Sequence, residues 1–138
     1  MCRIAFFNTM RNTFTRAERL SGITTVEELV RSGESFRRFP FRVIWREAKD
    51  QETPVRILFA VPKRAFKRAV MRNRIRRQLR EAFRLNKHPL YAHLNSAGKK
   101  IEVMIIYTHR EALTTPEIQG KIILTLQRLI ELTDAGSR

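Results

Sequence analysis

Residues 70–84 read VMRNRIRRQLREAFR, and deciding whether this stretch is a tail or a helix decides the fold. It holds six arginines and one glutamate beside large apolar residues. A solvated tail has no use for the apolar residues, and an ordinary buried helix would not tolerate the arginines. At 100° per residue the two sets separate. Met71, Ile75, Leu79, Ala82 and Phe83 form one stripe; Asn73, Arg77, Arg80 and Arg84 form the opposite one, with Arg76 at its shoulder. The reading is therefore a helix docked by its apolar face, with an ordered comb of arginines turned outward. Lys63, Arg64, Lys67 and Arg68 extend the positive charge into the preceding loop, so residues 63–84 hold ten basic residues against one acid. A charged helix face is ordinarily just solvated and stabilised by i,i+4 pairs of opposite sign. Here Arg72, Arg76 and Arg80 repeat at that spacing with like charge, which is destabilising unless an external polyanion neutralises it. Arginine in preference to lysine suits phosphate forks and base stacking.

Outward from this helix the chain alternates strand and helix signals. Upstream, TTVEELVRSG pairs Thr25 with Glu28 as a capping box and ends on Gly33, which predicts a helix over 25–32. Phe41, Val43 and Trp45 alternate with Arg42, Ile44 and Arg46, and VRILFAV (55–61) alternates in the same way. With the turn KDQETP between them they read as an antiparallel hairpin with one dry and one mixed face. Downstream, HPLYAHLNSAGKK reads as a loop with a helical turn. IEVMIIYT (101–108) is a nearly continuous apolar run, as in a central strand covered on both sides. Thr115-Pro116-Glu117 opens a final helix with Ile118, Ile122, Leu126, Leu129 and Ile130 as its stripe. The sum is one α+β domain over 14–133, preceded by a flexible basic extension over 1–13 and followed by a frayed end over 134–138.

Composition narrows the partner. The 138 residues carry 28 Lys and Arg against 13 Asp and Glu, a net charge of +15, and 43% hydrophobic residues. A packed core is thus expected, and the positive field points to nucleic acid, with an anionic membrane surface as the other candidate. No apolar run approaches the roughly 20 residues of a transmembrane helix. A single cysteine, Cys2, allows no internal disulfide. Nothing at the N-terminus reads as a secretory signal, so a cytoplasmic location is expected.

The segment AVMRNRIRRQLREAFR resembles the RNR signature of the protein subunit of bacterial ribonuclease P. The family pattern is met by Ala69-Val70, Arg72-Asn73-Arg74, Ile75, Arg76-Arg77 and Arg80-Glu81. The resemblance extends over about residues 14–132, with ERLSGITTVEELVRSGESF similar to the first helix region and VRILFAVPKR similar to the strand before the motif. Two departures stand out. The loop KRAFKR lacks the glycine many members carry, and Val26 and Val30 stand where some members have phenylalanine. The resemblance implies a four-stranded sheet packed with helices in the order α-β-β-β-α-β-α, the RNR helix lying in a left-handed crossover, an exception to the usual hand.

It also implies a function: binding the catalytic ribonuclease P RNA and the 5′ leader of precursor tRNA, and so assisting magnesium-dependent removal of the leader as one subunit of an endoribonuclease. The RNA subunit would carry the active site and hold the magnesium. By this reading Lys63, Arg64, Lys67, Arg68, Arg72, Asn73, Arg74, Arg76, Arg77 and Arg80 contact the RNA subunit. Val26, Val30, Phe36, Arg42, Ile44 and Arg46 line a leader-binding cleft between the first helix and the mixed sheet face. The residues themselves offer no catalyst or metal ligand set. The only two aspartates, Asp50 and Asp134, and the scattered His88, His93 and His109 do not make a two-metal site. No protein or membrane partner is implied. A structural RNA-binding protein of ribosomal type is the alternative, since size and charge suit it equally. A helix-turn-helix DNA binder lacks the required preceding helix.

Overall fold

A computed structural model describes residues 14–49 and 51–135. The expected basic extension over 1–13 and residues 136–138 lie outside the described residues. Four helices and four strands follow a short 3₁₀ turn at Arg16–Glu18. They are α1 (Ile23–Ser32), β1 (Glu34–Arg38), β2 (Phe41–Ala48), β3 (Val55–Ala60), α2 (Ala69–Asn86), α3 (His88–Ala97), β4 (Lys100–Tyr107) and α4 (Thr115–Ala135). The sheet order is β1-β2-β4-β3. β1 and β4 each pair antiparallel with β2, and β3 runs parallel to β4.

This α+β architecture agrees with the expected class but corrects several of its details. β2 and β3 are not a hairpin: β4 lies between them, paired with both. The apolar composition of β4 follows from that central place, with Ile101 through Ile105 all buried. The stretch at 88–97 is a full helix, closed by Gly98 in the left-handed conformation at φ 66°. The crossover from β3 to β4 therefore contains two helices, α2 and α3, where one was expected. α4 is helical from Thr115 through Ala135. α1 starts two residues before Thr25, with Gly22 at its N-cap and no capping side chain.

The main core lies between one sheet face and helices α2, α3 and α4. Phe41, Val43 and Trp45 of β2, Val55, Ile57 and Phe59 of β3, and Val103 and Ile105 of β4 meet Ile75, Leu79, Phe83, Tyr91, Ile118 and Leu126. Phe83 of α2 sits in an aromatic cluster, its ring 5.8 Å from Phe14, 6.0 Å from Phe59 and 6.3 Å from Tyr91. A smaller cluster on the other face, Leu20, Leu29, Ile44 and Met104, docks α1.

Gly33 ends α1, but not for the reason a helix stop suggests. Its φ of −80° suits any residue. The constraint is space: a Cβ there would lie 2.5 Å from the Leu29 carbonyl oxygen and 3.0 Å from both Ile44 Cγ2 and the Trp45 carbonyl oxygen. Only a residue without a side chain lets the end of α1 press onto β2.

Candidate nucleic-acid interface

Two basic surfaces result. The first is α2 with the loop before it. Ile75, Leu79, Ala82 and Phe83 are fully buried, so the helix is docked by the stripe read from its sequence. Arg74, Arg77 and Arg80 are exposed, as are Asn73 and the loop cations Lys63, Arg64, Lys67 and Arg68. The loop is an ordered turn. The Pro62 carbonyl accepts the Ala65 and Phe66 amides at 3.1 and 3.3 Å, and the Phe66 ring lies 5.7 Å from Tyr107.

Not every arginine of the comb points outward. Arg72 donates through Nη1 to the carbonyls of Phe66 and Lys67 at 2.9 and 2.8 Å, so it ties the basic loop to the first turn of α2. Arg76 donates through Nη2 to Asn73 Oδ1 at 2.9 Å, which orients both side chains. Arg84 is paired with Glu81. Arg80 is partly desolvated and crowded by Arg19 and Arg76, which holds its guanidinium below the ordinary range. Of these causes only Arg76 belongs to the i,i+4 spacing of the helix; burial and Arg19 come first. Arg19, poised over the Phe14 ring at 5.5 Å, belongs to the same positive field, although nothing in its local sequence marks it.

The second surface is the sheet face that carries α1, and strand register defines it. Residues paired directly across strands project to the same face. Arg37 pairs with Arg42, Arg42 with Ile106, and Ala60 with Ile106, giving one row across the sheet. The next row is Ser35, Ile44, Met104 and Leu58, and the third is Arg46, Glu102 and Arg56.

The six residues expected to line this cleft divide accordingly. Val26 is half-buried against the second cluster, and Val30 is exposed on α1. Arg42 is exposed in the first row. Ile44 lies beneath α1, 2% exposed, and is a docking residue rather than a lining one. Phe36 does not reach this face. It pairs with Val43 and packs against the main core, because β1 is a strand and its odd and even positions face opposite ways. Arg46 is in place but engaged: Nε donates to Glu102 Oε1 at 2.8 Å and Nη1 to Ser32 Oγ at 3.1 Å, with Glu28 at 3.5 Å. Glu102 is itself buried and also lies 4.0 Å from Arg56. That end of the face is charge-balanced, whereas the first row presents Arg37 and Arg42 beside half-buried Ala60 and Ile106. Arg37, which was not among the six, shares this face with Arg42 and is exposed.

Among the described residues no three His, Cys, Asp or Glu side chains form a group able to hold a metal ion. No helix among the described residues is long and apolar enough to cross a membrane.

Comparisons with known proteins agree with this layout. The family model described as Ribonuclease P matches residues 14–129. The ribonuclease P protein component of Porphyromonas gingivalis is 38% identical over 77 residues, covering 55% of this chain and 56% of that protein. That of Chlorobaculum tepidum is 36% identical over 105 residues, covering 72% of this chain and 68% of that protein. The chain thus spans about half the length of the Porphyromonas relative, and two thirds of the Chlorobaculum one. Among solved structures, the Staphylococcus aureus RNase P protein superposes with a TM-score of 0.67 at 23% identity, covering 83% of this chain and 96% of that one. The Thermotoga maritima RNase P protein gives 0.64 at 22% identity, covering 80% and 96%. At such identities these two structures speak for the fold alone.

Proposed function

The chain belongs to the ribonuclease P protein family, and from that premise we propose that it acts as the protein subunit of a ribonuclease P ribonucleoprotein in the cytoplasm. In this reading the α2 comb and its loop bind the catalytic RNA. The α1-side face of the sheet holds the single-stranded 5′ leader of precursor tRNA. The observation that carries the proposal is the α2 comb, with Arg74, Arg77 and Arg80 exposed on a helix whose opposite face is fully buried. Phosphates neutralise its self-repulsion, and the rigid helix fixes their register. Arg37 and Arg42 can fork leader phosphates, while Ile106 and Ala60 offer apolar contact to base or sugar. The chain contributes positioning and charge. In this reading hydrolysis and the magnesium ions that support it belong to the RNA subunit.

The test is reconstitution. The purified chain alone should leave precursor tRNA intact. Adding the cognate catalytic RNA with magnesium should give mature 5′ ends at a lower magnesium requirement than that RNA alone. Robust cleavage by RNA-free protein, or no effect of the protein on the RNA-catalysed reaction, overturns the proposal.

A further inference from the structure

A third surface lies outside both of these. The C-terminal ends of β3 and β4 and the N-terminal end of β2 share one end of the sheet. There the Thr108 amide and hydroxyl both donate to the Pro40 carbonyl, at 2.9 and 3.0 Å, and clamp the β1–β2 turn to the loop after β4. The Phe39 side chain stands out from this clamp with 56% of the residue exposed. The His109 ring meets it at 4.9 Å with an interplanar angle of 66°, and Lys121 of α4 places Nζ 5.8 Å from its centroid. Arg38 and Arg110 flank the pair in sequence, both exposed. Among the described residues no carboxylate pairs with Arg38, Arg110 or Lys121. The two nearest acids in sequence are otherwise engaged: Glu111 of the loop faces His109 at 3.9 Å, and Glu117 in the first turn of α4 accepts the Thr114 hydroxyl at 2.9 Å.

We propose that Phe39, braced by His109 and Lys121, is a stacking platform for one unpaired base of an RNA, with Arg38 and Arg110 contacting the adjoining phosphates. An isolated exposed phenylalanine needs no explanation. This one differs in meeting a second ring at 4.9 Å and in having one cation over it and two more exposed cations adjoining the pair in the chain, the combination that single-stranded RNA uses: a π-face for the base and positive charge for the backbone. The elements that carry the platform also adjoin α2: Gln78 of α2 donates to Thr115 Oγ1 at the start of α4 at 3.1 Å. A protein partner would instead call for contiguous apolar area, not an aromatic ring among cations. The inference rests on the reading of this chain as RNA-binding, and goes beyond it in placing a base contact away from the comb and the cleft.

The experiment uses the full chain, a fluorescein-labelled oligoadenylate about ten nucleotides long and a blunt RNA duplex of the same length. Phe39→Leu removes the π-face and keeps apolar bulk. It should weaken oligoadenylate binding about 5- to 100-fold, the range of one base–aromatic stack, and leave duplex binding unchanged because paired bases are not offered. Phe39→Trp should bind as the parent does, and its emission should be quenched by oligoadenylate but not by duplex. The chain's one native tryptophan, Trp45, is buried at 6% exposure and insulated from that signal. Parent-like oligoadenylate affinity in a folded Phe39→Leu variant, equal losses on both RNAs, or an unquenched Trp at position 39 overturns the platform. So does a Phe39→Leu variant that changes only self-association, measured by sedimentation. Since neither probe needs the catalytic RNA, the platform can fail while reconstituted processing stands, and the reverse.

Discussion

Replacing Lys87 with methionine should destabilise the chain far more than any surface cation would. Lys87 is the single residue between α2 and α3 and is 1% exposed. Its ammonium lies 2.6 Å from Glu18 Oε2, which also accepts the Tyr91 hydroxyl, while the Thr15 amide donates to Glu18 Oε1 at 2.9 Å. Burial alone would raise the Glu18 pKa. Hydrogen bonds from Lys87, Thr15 and Tyr91, together with the Lys87 charge, outweigh it and hold the carboxyl below its ordinary range. Methionine keeps the apolar stem but strands a buried carboxylate. Removing one partner of such a pair costs about 3–5 kcal/mol, which for a domain of this size is a fall in Tm of roughly 10–20 °C. The sign with pH follows. In the parent, a depressed Glu18 pKa contributes stability that is present above the unfolded carboxyl pKa and lost as pH falls through the folded one. In the variant the stranded carboxyl titrates higher, so the gap between the two proteins should be widest near neutrality and narrow as pH falls from the variant's raised carboxyl pKa through the parent's depressed one. The assay is urea unfolding at several pH values on the parent, Lys87→Met, Glu18→Leu and the double variant. Removing both charges should recover part of the loss, giving a coupling above about 1 kcal/mol. Single losses under about 1 kcal/mol that add without coupling would refute this account of the junction.

The two proposed RNA surfaces should separate by mutation. Arg77→Ala with Arg80→Ala should weaken assembly with the catalytic RNA by about 1–3 kcal/mol and flatten the salt dependence of log affinity by about one unit per arginine, with circular dichroism unchanged. Arg37→Ala with Arg42→Ala should leave assembly intact and weaken precursor tRNA relative to mature tRNA; parallel losses in both double variants, read by filter binding, would mean one diffuse field. Gly33→Ala should push α1 off β2, costing about 1–3 kcal/mol in urea unfolding and lowering affinity for precursor tRNA before affinity for the catalytic RNA.

The parts of this molecule that were legible in its sequence are those fixed by local periodicity. The stripe Ile75, Leu79, Ala82 and Phe83 recurs at helical spacing, and that alone places the arginines opposite; the structure buries all four. The double coverage of β4 could be read from an apolar run that no half-exposed strand would carry. What failed were features decided by elements far apart in the chain. A hairpin between β2 and β3 is the default for two short strands joined by a polar turn. It loses here because β4, arriving some forty residues later, offers each of them a more apolar partner. The Glu18–Lys87–Tyr91 network joins residues 69 and 73 apart, and nothing near any of them announces it.

The leader-face assignment shows how one missed element propagates. With β1 unread, ESFRR offers Phe36 as a loop aromatic free to reach any neighbouring cleft. Once Glu34–Arg38 pairs with β2, side-chain parity decides: the register Phe36 to Val43 sends the phenylalanine to the main core, and Arg37 to Arg42 sends the next residue to the opposite face. A slip of one residue would have exchanged them and left an arginine in the core, so the register is held by burial. The same parity turns Arg46 inward onto Glu102 and leaves Arg42 exposed, although both alternate identically along β2. Their difference lies in β4, where Glu102 stands opposite the first and Ile106 opposite the second. An arginine with no carboxylate opposite it in the register keeps its fork for a ligand, while one beside a buried carboxylate must first break an ion pair. Binding strength on this face should therefore concentrate in the row of Arg37 and Arg42.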